Sequence, residues 1–503
     1  MLQMWGKYHM SLVLKITPGD NVAVALHPIA KGETVAIGTE QIEALEDVPQ
    51  GHKMAVSHIT AGNKVIKYGY AIGHAETDIA AGQWVHTHNM KTNLSGEVRY
   101  TYRPVSCEVE RQETQTFAGF LRKDGKAAIR NEVWIIPTVG CVNDIANKLA
   151  RDNQDLLQGT TVEGLYAFTH PFGCSQTGQD HAQTRKLLAS LAHHPNAGAV
   201  LILGLGCENL THEQFVQELG TFDPERIRFL TCQDVEDEFA AGREILKECV
   251  AFAGQFCRQP LPASKLIVGL KCGASDGLSG ITANPAVGRF SDLLIGQGGS
   301  TILTEVPEMF GAEGMLMDRC INEAVFHKAE QMLNGFKDYF LSHHEVVYEN
   351  PSPGNKKGGI TTLEDKSCGC VQKGGTAPIV DVIGYAERVQ EQGLTLLYGP
   401  GNDLVSSTAL TAAGAHLILF TTGRGTPFGA PVPTLKIASN TEMAERKTDW
   451  IDFNAGVVAA GEKLKTTGKR LLELVLETAS GKPAKNEING CRGISIFKDG
   501  VCL

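Results

Sequence analysis

Four short apolar runs in this chain each lead to a cysteine, and this repeated pattern constrains the fold more than any other feature. The runs VWIIP, GLYAF, AVLILG and KLIVGL precede Cys141, Cys174, Cys207 and Cys272. Short apolar runs bounded by Gly or Pro are typical of the buried strands of a parallel sheet. Open α/β proteins bind their ligands at the carboxyl ends of such strands. The pattern therefore predicts a polar site that contains thiols at the edge of a parallel sheet.

Length, charge and cysteine content exclude several classes of protein. The chain has 503 residues, which is enough for two to four domains of roughly 100–200 residues each. Its formal net charge of −10 argues against a nucleic-acid-binding surface, and it has no run of about 18 apolar residues that would span a membrane. The thirteen cysteines are scattered and odd in number, which fits reduced thiols better than a disulfide framework. We therefore expect a cytoplasmic protein that acts on a small molecule.

The sequence pattern changes along the chain and predicts several domains. Residues 11–95 consist of short alternating strands between Gly, Pro and Asp or Asn turns, which predicts a small all-β domain. From Phe117 onward, apolar strands alternate with helical segments, a pattern typical of α/β domains with largely parallel sheets. A break near residues 254–264 separates an α/β domain at residues 112–255 from a C-terminal catalytic α/β domain at residues 263–503.

Two histidines stand close together near the end of the predicted β domain. His86 and His88 lie in the strand-like run WVHTHN. Residues i and i+2 of a strand point to the same face, so we expect the two imidazoles to lie side by side. Such a pair can bind one divalent metal, or one ring can act as a base beside the other. The alternative is a polar strand end with two surface histidines.

The motif HPFGCSQTGQDH follows the predicted strand GLYAF and contains three candidate site residues, His170, Cys174 and Ser175. Its small polar residues suit a tight turn into a helix, whose free backbone N–H groups bind carboxylates. Cys174 is then a candidate thiolate that ligates a metal. In the alternative, Cys174 is a buried thiol and Ser175 caps the helix. Glu208, beside Cys207 in GLGCEN, is a candidate base or ligand, or an acid at a helix start.

The stretch KCGASDGLSGITANPAVG, at residues 271–288, contains reactive groups most densely. Lys271 is a candidate to hold a substrate carboxylate, and Asp276 to coordinate a metal or accept a proton. Cys272 adds a thiol, and Asn284 adds an amide for substrate binding. The glycines allow the backbone to approach a ligand closely. A purely structural loop of this composition would be unusual, so we interpret the stretch as functional.

Two further segments carry cations. Residues 349–375 are long, polar and rich in Gly, Pro and Lys, and they place Lys356 and Lys357 on a predicted flexible lid that closes over an anionic substrate. A solvated linker is the alternative. Arg424, in the Gly-flanked turn TTGRGTPFG, is a candidate bidentate carboxylate clamp. The SCGC motif matches neither a zinc-ribbon nor a redox spacing and is weak evidence for a site.

Several common catalytic motifs are missing from the sequence. No G-x-G-x-x-G follows a strand with an acid about 20 residues later, which argues against a dinucleotide site. The sequence also has no P-loop, no G-x-S-x-G and no H-E-x-x-H. The absence of these motifs therefore argues against hydride transfer, nucleotide hydrolysis and the usual serine or zinc hydrolysis as the activity.

Taken together, the motifs resemble the altronate/galactarate dehydratase family of sugar-acid dehydratases over nearly the whole chain. The resemblance rests on GHKMAV, YGYAIG, WVHTHN, HPFGCSQTG, GLGCEN, CGASDGLSGITANPAVG, NPSPGNKKGG, GRGTP and DFNAGVV, in this order. It implies an SAF-type (β-clip) domain at the N-terminus, which agrees with the predicted β domain. It also implies the elimination of water from aldonic or aldaric acids, with Fe²⁺ as the metal and Mn²⁺ as a substitute.

The resemblance further implies a particular reaction, the conversion of D-altronate to 2-keto-3-deoxy-D-gluconate and water. The HTHN form of the motif is similar to the altronate branch, whereas galactarate members carry acidic and hydroxyl residues there. A divalent metal would stabilise the enediolate as a Lewis acid, a base would remove the C2 proton and an acid would protonate the C3 hydroxyl. The alternatives are a galactarate or other aldonate or aldarate dehydratase, a sulfolactate-type sulfo-lyase, and a non-catalytic protein that binds sugar acids.

We hypothesise roles for individual residues that family membership alone does not assign. His86 or His88 acts as base, acid or metal ligand, and His170 joins the catalytic candidates. The pool of metal ligands and proton carriers is Cys174, Cys207, Glu208, Cys272 and Asp276. The candidates for holding the substrate are Lys271, Lys356, Lys357, Arg424, Ser175 and Asn284. In an alternative, Cys174, Cys207 and Cys272 ligate a [4Fe–4S] cluster with one open iron. The oligomeric state stays open, a homo-oligomer included.

Overall fold

The computed structural model of the protein describes residues 12–94, 99–500 and 502, so that residues 11 and 95, the predicted ends of the β domain, lie outside the described residues. Residues 12–94 form an all-β unit. Its strands are β1 (Val13–Leu14), β2 (Val22–Ala25), β3 (Thr34–Ile37), β4 (Glu40–Glu43), β5 (Lys53–Ala55), β6 (Lys64–Lys67), β7 (Tyr70–Ala75), β8 (Trp84–Val85) and β9 (Met90–Lys91).

The β domain consists of three small antiparallel sheets. Strands β1, β2, β5 and β8 form one sheet in the order β1-β2-β5-β8, β3 and β4 form a hairpin, and β6-β7-β9 form the third sheet. The alternation expected of half-buried strands is visible in β3, where Val35 is buried between the exposed Thr34 and Ala36. The all-β character predicted for this part of the chain is therefore confirmed.

The second part of the chain is an α/β unit. Its strands are β10 (Thr116–Leu121), β11 (Ala127–Ala128), β12 (Glu132–Pro137), β13 (Gly164–Ala167), β14 (Ala197–Gly204) and β15 (Ile227–Thr231). Its helices are α1 (Asn143–Asp152), α2 (Gly178–Ala192), α3 (His212–Leu219) and α4 (Glu238–Ala253). Strands β13-β12-β14-β15 pair in this order, and every pair is parallel.

The C-terminal part is a larger α/β unit. Its strands are β16 (Gln259–Pro262), β17 (Ile267–Gly273), β18 (Ser300–Leu303), β19 (Ile379–Ile383), β20 (Leu394–Leu397), β21 (Leu417–Thr422), β22 (Thr434–Ala438) and β23 (Phe453–Asn454). Its helices are α5 (Ala283–Gly296), α6 (Glu313–Met317), α7 (Glu323–Ser342), α8 (Pro353–Lys357), α9 (Leu363–Cys370), α10 (Asp403–Ala412), α11 (Thr441–Arg446), α12 (Leu464–Ala479) and α13 (Lys485–Ile488). A parallel seven-stranded sheet has the order β19-β20-β18-β17-β21-β22-β23.

The apolar runs of the sequence correspond to strands of these two sheets. Strands β12, β13 and β14 lead to Cys141, Cys174 and Cys207, and Cys272 lies within β17. Helices cover the sheets, as the 3.6-residue period of the intervening segments predicts. The predicted class of α/β domains with largely parallel sheets is confirmed.

The prediction of a flexible lid at residues 349–375 is wrong. The segment contains α8 and α9, and most of α9 is buried. Ser352 caps α8 and Thr362 caps α9, each by accepting a hydrogen bond from a backbone N–H of the first turn. The high content of Gly, Pro and Lys masks these two capped helices in the sequence. Lys356 and Lys357 therefore lie on a short, packed helix.

The β domain packs directly on the C-terminal unit. The side chains of Lys53 and Lys67 both reach Asp365 of α9, at 2.7 Å and 3.0 Å, and all three are buried. The backbones also touch, because a Cβ at Gly277 would lie 1.8 Å from the carbonyl oxygen of Gly51. A single apolar core extends from β2 and β7 into the seven-stranded sheet. In the described part of the chain, no helix is long and apolar enough to cross a membrane.

Candidate functional site

A narrow pocket lies where the β domain meets the carboxyl end of β17, and we call it the interdomain pocket. Residues that line it include Lys67, Asp276, Asn284, Asp365, Lys366 and Cys370. Strand β17 pairs with β18 on one side and with β21 on the other. The chain thus reverses its winding direction beside β17, which is the position where open α/β sheets bind ligands.

Asp276 is a carboxylate of the interdomain pocket that accepts several hydrogen bonds. It accepts hydrogen bonds from the hydroxyl of Ser279 at 2.8 Å, the hydroxyl of Ser439 at 2.8 Å and the amide of Asn440 at 3.1 Å. These donors come from the loops after β17 and β22. The carboxylate therefore ties together the loops that surround the pocket.

Two thiols and one carboxylate converge beneath the interdomain pocket. The Sγ atoms of Cys272 and Cys370 are 3.0 Å and 3.1 Å from Oε2 of Glu308, and 3.4 Å from each other. All three side chains are buried. We call this group the thiol–carboxylate triad, and in the described residues it is the group of His, Cys, Asp or Glu side chains that is compact enough to hold a metal ion.

Buried lysines surround the thiol–carboxylate triad. Lys366 Nζ lies 2.7 Å from Glu308 Oε1. Lys271 pairs with Glu305, which also lies 3.2 Å from Lys373 Nζ. A buried charge is stable only when it is paired with a charge of opposite sign. These ion pairs therefore allow several ionised groups to lie inside the protein.

The lysines also set the protonation states of the acids. Burial raises the pKa of Glu308, but the positive charges of Lys366 and Lys271 outweigh burial and bring that pKa below its usual range. For Glu305, burial and the neighbouring Glu308 charge dominate, and its pKa is raised. A hydrogen bond with Cys272 and burial raise the pKa of the Cys370 thiol. Without a metal, the triad is therefore an ionised carboxylate beside a protonated Cys370 thiol.

The end of the β domain holds a cluster of aromatic rings. The ring centroid of His86 is 4.9 Å from that of His52 and 5.3 Å from that of Trp84, and the ring of His88 is 5.2 Å from that of Trp84. Burial, the charge of Lys53 and the neighbouring His52 lower the pKa of His86 to about 3. His86 is therefore neutral over the physiological pH range, and His88 is exposed.

A chain of hydrogen bonds connects His86 to the wall of the interdomain pocket. His86 Nδ1 is 3.1 Å from the hydroxyl of Thr361, and Lys53 Nζ donates to the same hydroxyl at 2.7 Å. Lys53 also pairs with Asp365, which lines the pocket together with Lys67. Burial lowers the pKa of Lys53 to about 8, against the charge of Asp365. The β domain thus contributes titratable groups to the pocket.

A second edge of reactive groups lies on the four-stranded sheet. Cys141, Cys174 and Cys207 follow its three adjacent strands β12, β13 and β14, and all three are exposed free thiols. Glu208 is internal here, where it accepts hydrogen bonds from the Thr138 hydroxyl at 2.7 Å and from two backbone N–H groups. Burial raises the pKa of Glu208, but these hydrogen bonds bring it below its usual value.

Three family models match successive parts of the chain. Residues 11–93 match the family model of the altronate/galactarate dehydratase SAF domain, residues 119–254 that of the second domain of D-galactarate dehydratase/altronate hydrolase, and residues 263–502 that of the C-terminal part of D-galactarate/altronate dehydratase. The chain belongs to the altronate/galactarate dehydratase family. It is therefore a hydro-lyase that acts on a sugar acid.

Individual members of the altronate/galactarate dehydratase family are similar over their full length. The chain is 50% identical to altronate dehydratase of Escherichia coli (strain K12), with 97% of this chain and 99% of the relative covered. It is also 50% identical to altronate dehydratase of Bacillus subtilis (strain 168), with 98% and 100% covered. Identity to galactarate dehydratase (L-threo-forming) of E. coli is 34%, with 93% of each chain covered.

The structure of this family member brings part of the predicted site together. Cys272, Asp276 and Asn284 lie at the carboxyl end of β17, as expected, and Asn284 is held by the Thr421 hydroxyl at 2.6 Å. Arg424 is exposed and lies against Gly354 of α8, where a Cβ added to the glycine would be 2.9 Å from Arg424 Nη1. Their roles toward a substrate stay predictions.

Three placements expected from the sequence are wrong. His86 and His88 do not share a strand face, because β8 ends at Val85 and residues 86–89 form a turn closed by hydrogen bonds between His86 and Asn89. Lys271 is fully buried between Glu305 and Asp403, so it is committed to internal ion pairs.

The third wrong placement is the expected cluster of Cys174, Cys207 and Cys272. Cys272 belongs to the seven-stranded sheet, whereas Cys174 and Cys207 follow strands of the four-stranded sheet, so the three thiols do not form the expected cluster. Strand order, which decides this separation, is not encoded in any single apolar run.

Two residues of the HPFGCSQTG motif serve the local fold. His170 is buried, its Nε2 donates to the carbonyl of Pro137 at 2.8 Å and its Nδ1 accepts from the N–H of Phe172 at 3.2 Å. Burial lowers its pKa to about 4. Ser175 does not cap α2, because Thr177 occupies the N-cap position. These contacts give neither residue a visible link to the interdomain pocket.

Sequence reasoning missed several residues of the site. Glu305 and Glu308 follow β18 in the segment TEVPE, and Lys366 and Cys370 lie on α9. The acids carried the same signal as the cysteines, a polar residue directly after a buried strand. Cys370 was part of the C-x-C spacing, which matches no metal motif because its partner thiol is Cys272, far away in the sequence.

Proposed function

We propose that this sugar-acid dehydratase converts D-altronate to 2-keto-3-deoxy-D-gluconate and water. The observation that carries the proposal is the 50% identity, over nearly the full length, to two altronate dehydratases. Identity to the galactarate enzyme is lower, at 34%. The thirteen cysteines are free thiols, which supports a reducing compartment such as the cytoplasm as the place of the reaction.

The interdomain pocket has the chemistry that an aldonic acid requires. Lys67 and Lys366 place ammonium groups in its wall, and these attract a carboxylate. Asp276, Ser279 and Asn284 supply hydrogen-bonding groups for several hydroxyls. Lys67 and Lys366 are ion-paired like Lys271, but unlike Lys271 they line the pocket, so in this proposal they take the part that the sequence suggested for Lys271. Arg424 lies beside Gly354 of α8.

The acid–base pair of the elimination is assigned to the β domain. A base that removes the C2 proton must be unprotonated but still basic at the working pH. The lowered pKa of the buried His86 makes it a weak base, so the exposed His88 is assigned the larger part. His88 is exposed beside Trp84 and is free to approach a substrate. We assign proton transfer to this histidine pair, with the hydrogen-bond chain through Thr361 and Lys53 holding His86 in place.

The thiol–carboxylate triad fits the ferrous ion that the family resemblance implies. Cys272, Cys370 and Glu308 offer two soft sulfur donors and one oxygen donor in a compact buried group. Fe²⁺ accepts such a mixed set, whereas Mn²⁺ prefers oxygen, so we propose Fe²⁺ as the metal of this site. When bound, a divalent ion supplies Lewis acidity toward a carboxylate and an α-hydroxyl. The buried lysines Lys366, Lys271 and Lys373 keep the triad region close to charge balance.

The test is an anaerobic assay of 2-keto-3-deoxy acid formation, with and without added Fe²⁺. D-Altronate, galactarate and sulfolactate are offered separately. Iron-dependent turnover of D-altronate alone is the expected result. Turnover of galactarate alone would keep the dehydratase chemistry and reject altronate, and release of sulfite from sulfolactate would indicate a sulfo-lyase. Binding of D-altronate without turnover by the iron-loaded protein would reject the catalytic proposal.

A further inference from the structure

The exposed thiols of the four-stranded sheet have no part in the proposed reaction at the interdomain pocket. Cys141, Cys174 and Cys207 follow β12, β13 and β14, which are adjacent in the order β13-β12-β14. The carboxyl ends of parallel strands meet at one edge of a sheet, so the loops after these three strands carry their thiols at the same edge. Free cysteine is usually buried, so three exposed thiols at one sheet edge need a reason.

The three loops that carry these thiols are hydrogen-bonded to one another. The N–H of Gly140 donates to the carbonyl of Phe172 at 2.9 Å, next to Cys141. The N–H of Leu210 donates to the carbonyl of Gly173 at 3.1 Å, and the N–H of Ser175 donates to the side chain of Asn209 at 2.7 Å. The loop that carries Cys174 is thus hydrogen-bonded to the loops that carry Cys141 and Cys207.

The backbone around the thiols is constrained in a way that requires glycine. Gly173 has φ +99°, and a Cβ there would lie 1.8 Å from the carbonyl oxygen of Thr138. Ser175 also has a positive φ, 57°, which is uncommon for a residue with a side chain. The close approach at Gly173 therefore holds the loop of Cys174 against the end of β12.

Several buried polar atoms at the same edge lack hydrogen-bond partners, which is a second and independent observation. Asn143 and Gln176 each lie two residues beyond a cysteine of the group, and His181 lies on the first turns of α2. In the described part of the chain, Asn143 Oδ1, Gln176 Nε2 and His181 Nε2 are buried without a hydrogen-bond partner. Buried polar groups are nearly always satisfied, so these atoms indicate a polar group that belongs between the loops.

We propose that Cys141, Cys174 and Cys207 ligate a [4Fe–4S] cluster and leave its fourth iron without a protein ligand. Thiolates select iron–sulfur clusters and zinc, and the content of acid-labile sulfide separates these two groups. The carboxylate of Glu208, which follows Cys207 in the sequence, is occupied by the Thr138 hydroxyl and two backbone N–H groups. Cys141 here takes the place that the sequence suggested for Cys272. The cluster site is separate from the interdomain pocket and does not depend on which sugar acid is the substrate.

The first experiment reconstitutes the full chain anaerobically with Fe²⁺ and sulfide. After desalting, we expect about four acid-labile sulfide ions and about four cluster iron ions per chain, in addition to Fe²⁺ bound at the triad, and a broad visible absorbance. The Mössbauer spectrum should show one iron distinct from the other three. Iron without labile sulfide, or a colourless protein, would overturn the proposal in favour of a mononuclear site or none.

The second experiment assigns the ligands. Cys141→Ser, Cys174→Ser and Cys207→Ser should each remove most of the labile sulfide and the visible absorbance. Because these thiols are exposed, the apo variants should unfold at the same temperature as the apo parent chain, which separates loss of ligand from loss of fold. A cluster that survives all three substitutions would overturn the assignment.

Matched controls come from other thiols. Cys257 is also exposed and lies outside this edge, and Cys272 is the buried thiol of the triad. Cys257→Ser and Cys272→Ser should leave the sulfide content unchanged. Cys502 is exposed and pairs through its backbone with Gln176, so Cys502→Ser tests the open position. A distinct fourth iron signal that appears only in Cys502→Ser would show that this thiol ligates the fourth iron in the parent chain and would reject the open iron.

Discussion

The Sγ atoms of Cys272 and Cys370 lie 3.4 Å apart, although 98 residues separate them in the sequence. Oε2 of Glu308 is hydrogen-bonded to both thiols, and Lys366 bonds to its other oxygen. Because the two thiols come from β17 and α9, the triad forms only when the C-terminal unit is fully assembled. Its metal affinity should therefore depend on both cysteines.

We expect Cys370→Ser to weaken Fe²⁺ binding at the triad at least about tenfold, since an oxygen donor replaces a soft thiolate. The measurement is anaerobic equilibrium dialysis with Fe²⁺, in a chain whose Cys141, Cys174 and Cys207 are already replaced by Ser. Cys368→Ser is the matched control, because Cys368 is a buried thiol of the same helix outside the triad. Equal affinities for the two variants would show that the triad is not the iron site.

The buried group of Lys53, Asp365 and Lys67 should be important for stability. Asp365→Asn leaves two buried ammonium groups without their carboxylate, and we expect the free energy of unfolding to fall by about 3–5 kcal/mol. Urea unfolding followed by tryptophan fluorescence measures the change. Glu477→Gln, which breaks an exposed ion pair with Lys482, should cost about 1 kcal/mol or less. A similar loss in both variants would contradict the structural role of the buried group.

Loss of the exposed imidazole at the end of the β domain should reduce turnover. We expect His88→Ala to lower kcat for D-altronate by at least about 100-fold, the effect of removing an acid–base group. His58→Ala is the control, because His58 is an exposed histidine elsewhere in the same domain. Near-parental kcat in His88→Ala would remove this residue from the catalytic set.

Buried neutral histidines should make the protein less stable in mild acid. Burial lowers the pKa of His416 from 6.5 to about 4, and its ring bonds to Ala127 and Ile267. Below pH 6.5 the unfolded chain binds a proton at this position that the folded chain does not bind until about pH 4. Stability from this group is therefore lost as the pH falls through that window, by up to about 3 kcal/mol.

The check is the pH dependence of the melting temperature between pH 7 and pH 4. His416→Gln keeps a polar side chain but cannot titrate, so its melting temperature should fall less steeply with acid than that of the parent chain. His58→Gln, at an exposed position, should leave the slope unchanged. Parallel curves for all three proteins would show that His416 does not titrate as described.

Local patterns predicted the elements of the fold well, because most strands of the two parallel sheets are short apolar runs that stand between turn residues. The ends of β12, β14 and β17 could be placed from sequence for this reason. Local patterns did not contain the order of the strands, which separates Cys272 from Cys174. They also did not show that Cys272 lies beside Cys370.

The burial of charged residues in the interior was also not predicted from the sequence. Lys271 looked like a substrate-binding cation, but its burial and its pairing with Glu305 depend on contacts over 34 residues of sequence. The turn at His86 was also not predicted, because the side chain of Asn89 closes it where the alternating pattern indicated a longer strand. In both cases a tertiary or side-chain contact outweighed the local pattern.

The group in which Lys53 and Lys67 share the single carboxylate of Asp365 has one more positive than negative charge when both lysines are protonated. Lys67 and Asp365 line the interdomain pocket, so this unbalanced charge lies next to the place where an anionic substrate would enter. A bound carboxylate would act as the missing counterion between the two domains. Substrate would then do more than fill a pocket: it would strengthen the attachment of the β domain and promote proton uptake by Lys53, whose pKa of about 8 leaves it partly deprotonated in mildly alkaline solution.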